Sequence, residues 1–134
     1  MSNRIFELHD SKVETLLTTK DGQVTLIFCY AYIHESDGIP WVDRGKGLAQ
    51  RAELEIDGGE IVINSSSLPS TISDGSIRVS GELRENVIPI PFASKGPFEI
   101  KLILVSGESF QLRGHGAKLN LQGEVLYVED FPGH

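Results

Sequence analysis

His9-Asp10-Ser11 near the start of the chain, and His34-Glu35 with Asp37 beyond them, are the residues whose types could do chemistry together. Two imidazoles and a carboxylate form a recognised ligand set for a divalent metal, and an open coordination position on such an ion supports hydrolysis. His9, His34 and Asp37 are therefore the candidate metal ligands, and a metal-dependent hydrolase is the enzyme reading. The plainer reading places Asp10 and Ser11 in an Asx-type turn at a strand entrance and His34 at a half-exposed strand end. No spacing motif links the two histidines, so the plainer reading is favoured. Ser11 with His9 or His34 as base would also need an oxyanion site and an orienting group, and no G-x-S-x-G turn presents a serine.

The second candidate region is the loop from Ser36 to Gly47, SDGIPWVDRGKG, which holds the only tryptophan of the chain. Asp37, Trp41, Asp43, Arg44 and Lys46 are its candidate binding residues. Backbone amides and two cations could receive a phosphate. The spacing is not that of a P-loop, however, and the loop leads into a strand, so a hairpin loop is expected. An aromatic in a long polar loop either folds back as a plug over the core or stands as a contact anchor, and Trp41 fits both descriptions.

Positioning these residues falls to Gln23–Glu35, QVTLIFCYAYIHE, which reads as a long strand buried on both faces. Val24, Leu26, Phe28, Tyr30 and Tyr32 alternate with Ile27, Cys29, Ala31 and Ile33. Cys29 is thus expected to be a small buried hydrophobe. The tyrosines are expected in core or inter-sheet packing, or lining a barrel interior that could take a small apolar ligand. At about 3.3 Å per residue the strand would run roughly 40 Å, long enough to require a bend or bulge. Asp21-Gly22 supplies a type I′ turn and pairs this strand with a first one at Lys12–Lys20. Partner numbers in such a hairpin sum to about 43. That register sets residue 9 or 10 opposite His34 and brings both histidines to one end of the sheet.

Downstream, Leu48, Ala52, Leu54 and Ile56 alternate with polar residues, and Asp57-Gly58-Gly59 turns the chain towards Ile61 and Ile63 in an expected second hairpin. Ser65–Gly75 reads as a polar connection with room for one helical turn. Alternation returns from Ile77 to Arg84, and Pro89 and Pro91 send Val87–Ile90 to an edge. Phe98–Val105, a turn at Ser106-Gly107 and a return through Phe110 and Leu112 follow. His115 between two glycines marks a further bend, Leu119 and Leu121 resume the alternation, and Val125–Val128 makes a last strand. His134 is expected to be disordered. No segment keeps helical apolar spacing. The expected fold is all-β: one domain over residues 1–134, an antiparallel β-sandwich or flattened barrel of about eight to ten mostly hairpin-connected strands.

Composition narrows the function classes. Twelve Lys and Arg against nineteen Asp and Glu give a net charge of −7, the wrong sign for general attraction to nucleic acid. No run approaches the roughly 18 apolar residues of a membrane-spanning helix, and the N-terminus does not read as a secretory signal. The expected setting is therefore cytoplasmic, without a membrane or nucleic-acid partner. One cysteine excludes an internal disulfide. No cofactor motif is present, so none is expected.

Phe6-Glu7-Leu8-His9-Asp10-Ser11, the loop residues Asp37-Gly38-Ile39-Pro40 and Gly45-Lys46-Gly47, and the closing Tyr127-Val128-Glu129-Asp130-Phe131 resemble a small bacterial family of uncharacterised domains. A looser likeness extends to the β-rich immunity proteins that neutralise bacterial toxins. The resemblance implies a compact bacterial β domain and carries over no active site. The favoured function is a non-catalytic binding module for a protein or small-molecule ligand, with the Asp37–Lys46 loop as contact surface. The alternatives are the metal-dependent hydrolase and a structural homodimer joined along Val87–Phe92 or through Ile103 and Val105.

Overall fold

The apolar-polar alternation is realised as nine strands and no helix in a computed structural model that describes residues 3–19, 21–64 and 68–133. The strands are β1 (Asn3–Thr18), β2 (Val24–Ser36), β3 (Gly45–Asp57), β4 (Glu60–Asn64), β5 (Ser70–Val79), β6 (Glu82–Glu85), β7 (Val87–Ile90), β8 (Ala93–Leu104) and β9 (Ser109–Phe131). All pairings are antiparallel, in the order β6-β5-β8-β9-β3-β2-β1-β7, with β4 on β9. A short contact of β1 with β5, Lys12 opposite Thr71 and Val13 opposite Ser70, turns six of these strands into a ring. The all-β expectation holds: the ring is a flattened barrel with β7 and the end of β9 extending one side. Lys20, residues 65–67 and His134 lie outside the described residues.

Apolar side chains on the inner face of every ring strand fill the interior, among them Leu8, Val13, Leu26, Phe28, Leu54, Ile72, Ile100 and Leu112. Phe6 meets Phe28 edge-on with ring centroids 4.9 Å apart, the arrangement that aromatic quadrupoles favour. Among the described residues no helix is long and apolar enough to cross a membrane.

The bend expected in the central strand is present. β2 gains one residue against β3 between Phe28 and Ala31. An extra residue reverses which face the following side chains occupy. Val24, Leu26 and Phe28 face the core before the bulge, and Ala31 faces it afterwards. Tyr32 and His34 thereby come out on the other face. Cys29 falls at the bulge and is exposed, not buried as its apolar setting predicts.

Other local expectations are corrected by pairings that no neighbouring residue announces. β3 and β4 do not form a hairpin: β3 is flanked by β2 and β9, so β4 pairs with β9 instead. The segment from Ser70 that had room for a helical turn is strand, and the run from Ile77 to Arg84 is two strands around Ser80-Gly81, both at positive φ. β9 runs unbroken through His115 for 23 residues. The glycine before it reflects close approach: a Cβ on Gly114 would overlap the Asp57 carbonyl oxygen. Val87–Ile90 is an edge strand on β1, as its prolines require.

Candidate functional site

Pair sums in the first hairpin begin near the turn at 42, with Thr18 opposite Val24, but fall to 39 where Glu7 faces Tyr32. The loss arises between Glu7 and Lys12, a stretch that spans only Tyr32 to Tyr30 on β2. Ser11 and Asn86 hold this bulge. The Ser11 hydroxyl donates to the Glu7 carbonyl at 2.6 Å and accepts the Tyr32 N–H at 2.9 Å. Asn86 receives the Leu8 N–H on its carbonyl and the His9 N–H on its side chain. Asp10 adopts φ 72°, a left-handed position that Asp tolerates. Ile5, and not residue 9 or 10, stands opposite His34.

The bulge brings Glu7 to His34. Glu7 Oε2 lies 2.6 Å from His34 Nε2, with His34 2% and Glu7 8% exposed. A contact this short requires one proton shared between the two atoms. Glu7 Oε1 accepts from Asn86 Nδ2 at 3.2 Å, which satisfies its second oxygen. His34 Nδ1 is buried without a hydrogen-bond partner among the described residues. Neighbouring Tyr32 packs edge-on against the imidazole and donates its hydroxyl to Glu129 on β9. Burial, followed by that bond, holds the Tyr32 phenol above its ordinary value of 10.0. Tyr30 is also raised, first by burial and then by Glu129 and Asp10.

Two glycines make this packing possible. A Cβ on Gly47 would overlap the Tyr32 hydroxyl, and one on Gly45 would overlap the Glu35 carbonyl oxygen. Gly47 thus lets Tyr32 cross β3 to reach β9, and Gly45 allows the close approach of the Glu35 carbonyl.

Over His34 lies Trp41. Its ring meets the imidazole edge-on at 4.7 Å and stacks on Phe131 at 5.4 Å and 23°, while Phe131 also meets His34 edge-on at 5.4 Å. Trp41 nevertheless remains 44% exposed. It covers His34 as a plug would and leaves part of its ring in solvent. The loop carries its own bracing. Asp43 Oδ2 accepts the Ile39 N–H at 2.6 Å, and the Ser36 hydroxyl donates to the Arg44 carbonyl at 2.7 Å. Trp41 itself sits at φ 76° within this braced turn. Ile39 and Val42 stand exposed beside it.

The remaining candidate residues divide between two places. Asp37, Arg44 and Lys46 line a cleft of about 360 Å³ with Glu35, Ser36, Gly45 and Asp130. Lys46 is 3.6 Å from Glu35, and Asp43 is occupied within the loop. His9, His34 and Asp37 are not gathered. His9 is half-exposed with Nδ1 3.2 Å from Asp10, while His34 is turned to Glu7. Among the described residues no group of three or more His, Cys, Asp or Glu is disposed to hold a metal ion. His34 is also not the half-exposed strand end of the plainer reading. Ser11 is buried with both hydroxyl roles filled, so it cannot present a nucleophile.

Sequence reasoning did not single out Glu7, Asn86 or Phe131 as site residues. Glu7 stands in the sequence between apolar Phe6 and Leu8 with no chemical partner nearby, and only the bulge after it aims it at His34. Comparison with family models, curated proteins and solved structures found no match.

Proposed function

We propose that this chain is a non-catalytic binding module that meets a protein partner through the loop Asp37–Lys46, with Trp41 at the centre of the contact. The observation that carries this reading is the combination of exposure and rigidity at Trp41. A partly exposed tryptophan stacked on Phe131 and braced on buried His34 offers apolar area without a large ordering cost on binding. Exposed Ile39 and Val42 widen the apolar area, and the charged cleft with Asp37, Arg44 and Lys46 supplies a polar margin. Glu7 and His34 serve as the support beneath it. Their shared proton lies between two buried groups, and the remaining imidazole nitrogen is buried too, an arrangement suited to holding a ring in place. A bacterial cytoplasmic setting belongs to the same proposal, consistent with a lone cysteine and an acidic, well-charged sequence.

Immobilised wild-type protein, Trp41→Ala and Ile103→Ala, each passed over extract of the source cell, test the proposal. A partner held by wild type and Ile103→Ala but lost from Trp41→Ala is the expected result. Equal retention by all three would place the contact elsewhere.

A further inference from the structure

The end of β9 carries a feature that the Trp41 contact does not use. Every residue from Gln122 to Asp130 is exposed, and Val125, Leu126, Tyr127 and Val128 form an unbroken apolar run with exposures from 40% to 61%. A soluble surface seldom leaves four successive large apolar residues uncovered. The reason for the exposure is topological. On its second side β9 is laddered to β8 only as far as Lys118, opposite Ala93, and Leu119 donates to the Phe92 carbonyl. From there to Asp130, β3 is its only strand partner among the described residues. This is an open sheet edge of the kind that accepts an extended chain.

Charge selects the occupant. Asn120 to Phe131 contains Glu124, Glu129 and Asp130 and no Lys or Arg. Lys46, the register partner of Asp130, is paired with Glu35. A second copy paired along the apolar run would bring the Glu124, Glu129 and Asp130 carboxylates of both strands onto one seam with no Lys or Arg in the strand to offset them, and such a gathering of like charge disfavours that occupant. An extended segment with apolar residues at its centre and Lys or Arg around them meets both the apolar run and the carboxylates.

We infer that the β9 edge, Gln122–Asp130, is a second docking surface whose occupant is an extended basic-apolar peptide segment. The extra residues that β9 carries opposite β3, at Gly123–Val125 and at Val128, interrupt its ladder. Ladder bonding by the occupant is therefore confined to short stretches, and side-chain contact with Leu126, Tyr127 and the flanking acids supplies the rest. This inference does not depend on the Trp41 contact.

The test uses a fluorescent peptide of about nine residues alternating Lys and Val, with a Glu-Val peptide of the same pattern as control. Anisotropy should show saturable binding of the Lys-Val peptide alone, weakening as salt rises. Leu126→Lys, an exposed change that leaves the core untouched, should weaken it by about tenfold or more, while Trp41→Ala should leave it unchanged. Amide exchange should slow within residues 122–130 when the peptide is added. Equal binding of both peptides, protection elsewhere in the chain, or no loss in a Leu126→Lys protein with native circular dichroism would overturn the inference. So would a peptide-free dimer protected at the same amides, which would make the occupant a second copy.

Discussion

His34 and His9 share a residue type and very different energetics. Removing His34 leaves Glu7 buried beside an empty volume, and breaking one partner of a buried pair costs about 3–5 kcal/mol. His9 is half-exposed and bonded to the fold through its backbone N–H. Its replacement should change stability by less than about 0.5 kcal/mol. Chemical denaturation of His34→Ala and His9→Ala should show this asymmetry, and similar losses would speak against the Glu7–His34 pair. Tyr32 gives a pH-dependent expectation. Its phenol is held above 10.0 in the fold, so above that pH the unfolded chain surrenders the proton first. The contribution is whole below pH 10 and is lost as pH rises towards the folded value. Wild type should therefore lose more stability than Tyr32→Phe between about pH 8 and pH 11; parallel curves would deny the shift. At this scale the sequence showed which residues could act but not their company. The candidate loop and Trp41 were legible from composition, whereas Glu7 reaches His34 only because three-dimensional bonds from Ser11 and Asn86 hold a bulge open.

Strand periodicity was legible along most of the chain, even in β3, whose neighbour β9 is distant in sequence. Asp21-Gly22 identified the first hairpin, and the length of β2 announced its bulge. The position of that bulge was not legible, because Cys29 and Tyr30 are as apolar as their neighbours. It sends Tyr32 and His34 to the outer face and leaves Cys29 in solvent. A thiol reagent should accordingly modify Cys29 in the native protein at a rate little changed by denaturant, and reaction only after unfolding would put the bulge elsewhere. Partner choice between distant strands was hidden for a different reason. Asp57-Gly58-Gly59 signals a reversal but cannot tell that both edges of β3 are already taken, which directs β4 to β9. Likewise Gly45 and Gly47 resemble a phosphate-cradling loop in sequence, and only the paired strands show that Gly47 makes room for the Tyr32 ring and Gly45 for the Glu35 carbonyl.

For the whole molecule, the all-β fold followed from alternation and turn chemistry, and the closing β1–β5 contact from neither. The flattened barrel keeps its interior filled, and both proposed contacts lie on one side, where β7, β1, β2, β3 and the end of β9 extend beyond the ring. That extension bears the aromatic platform on one face and the acidic, apolar edge along its rim. A net charge of −7 adds long-range attraction for basic partners to both. Trp41, as the only tryptophan, makes its own contact observable. The decisive measurement is its fluorescence emission during titration with the partner retained by the wild-type protein. A saturable blue shift with reduced acrylamide quenching is expected as the indole is covered, whereas saturated binding that leaves Trp41 emission and quenching unchanged would place the contact elsewhere.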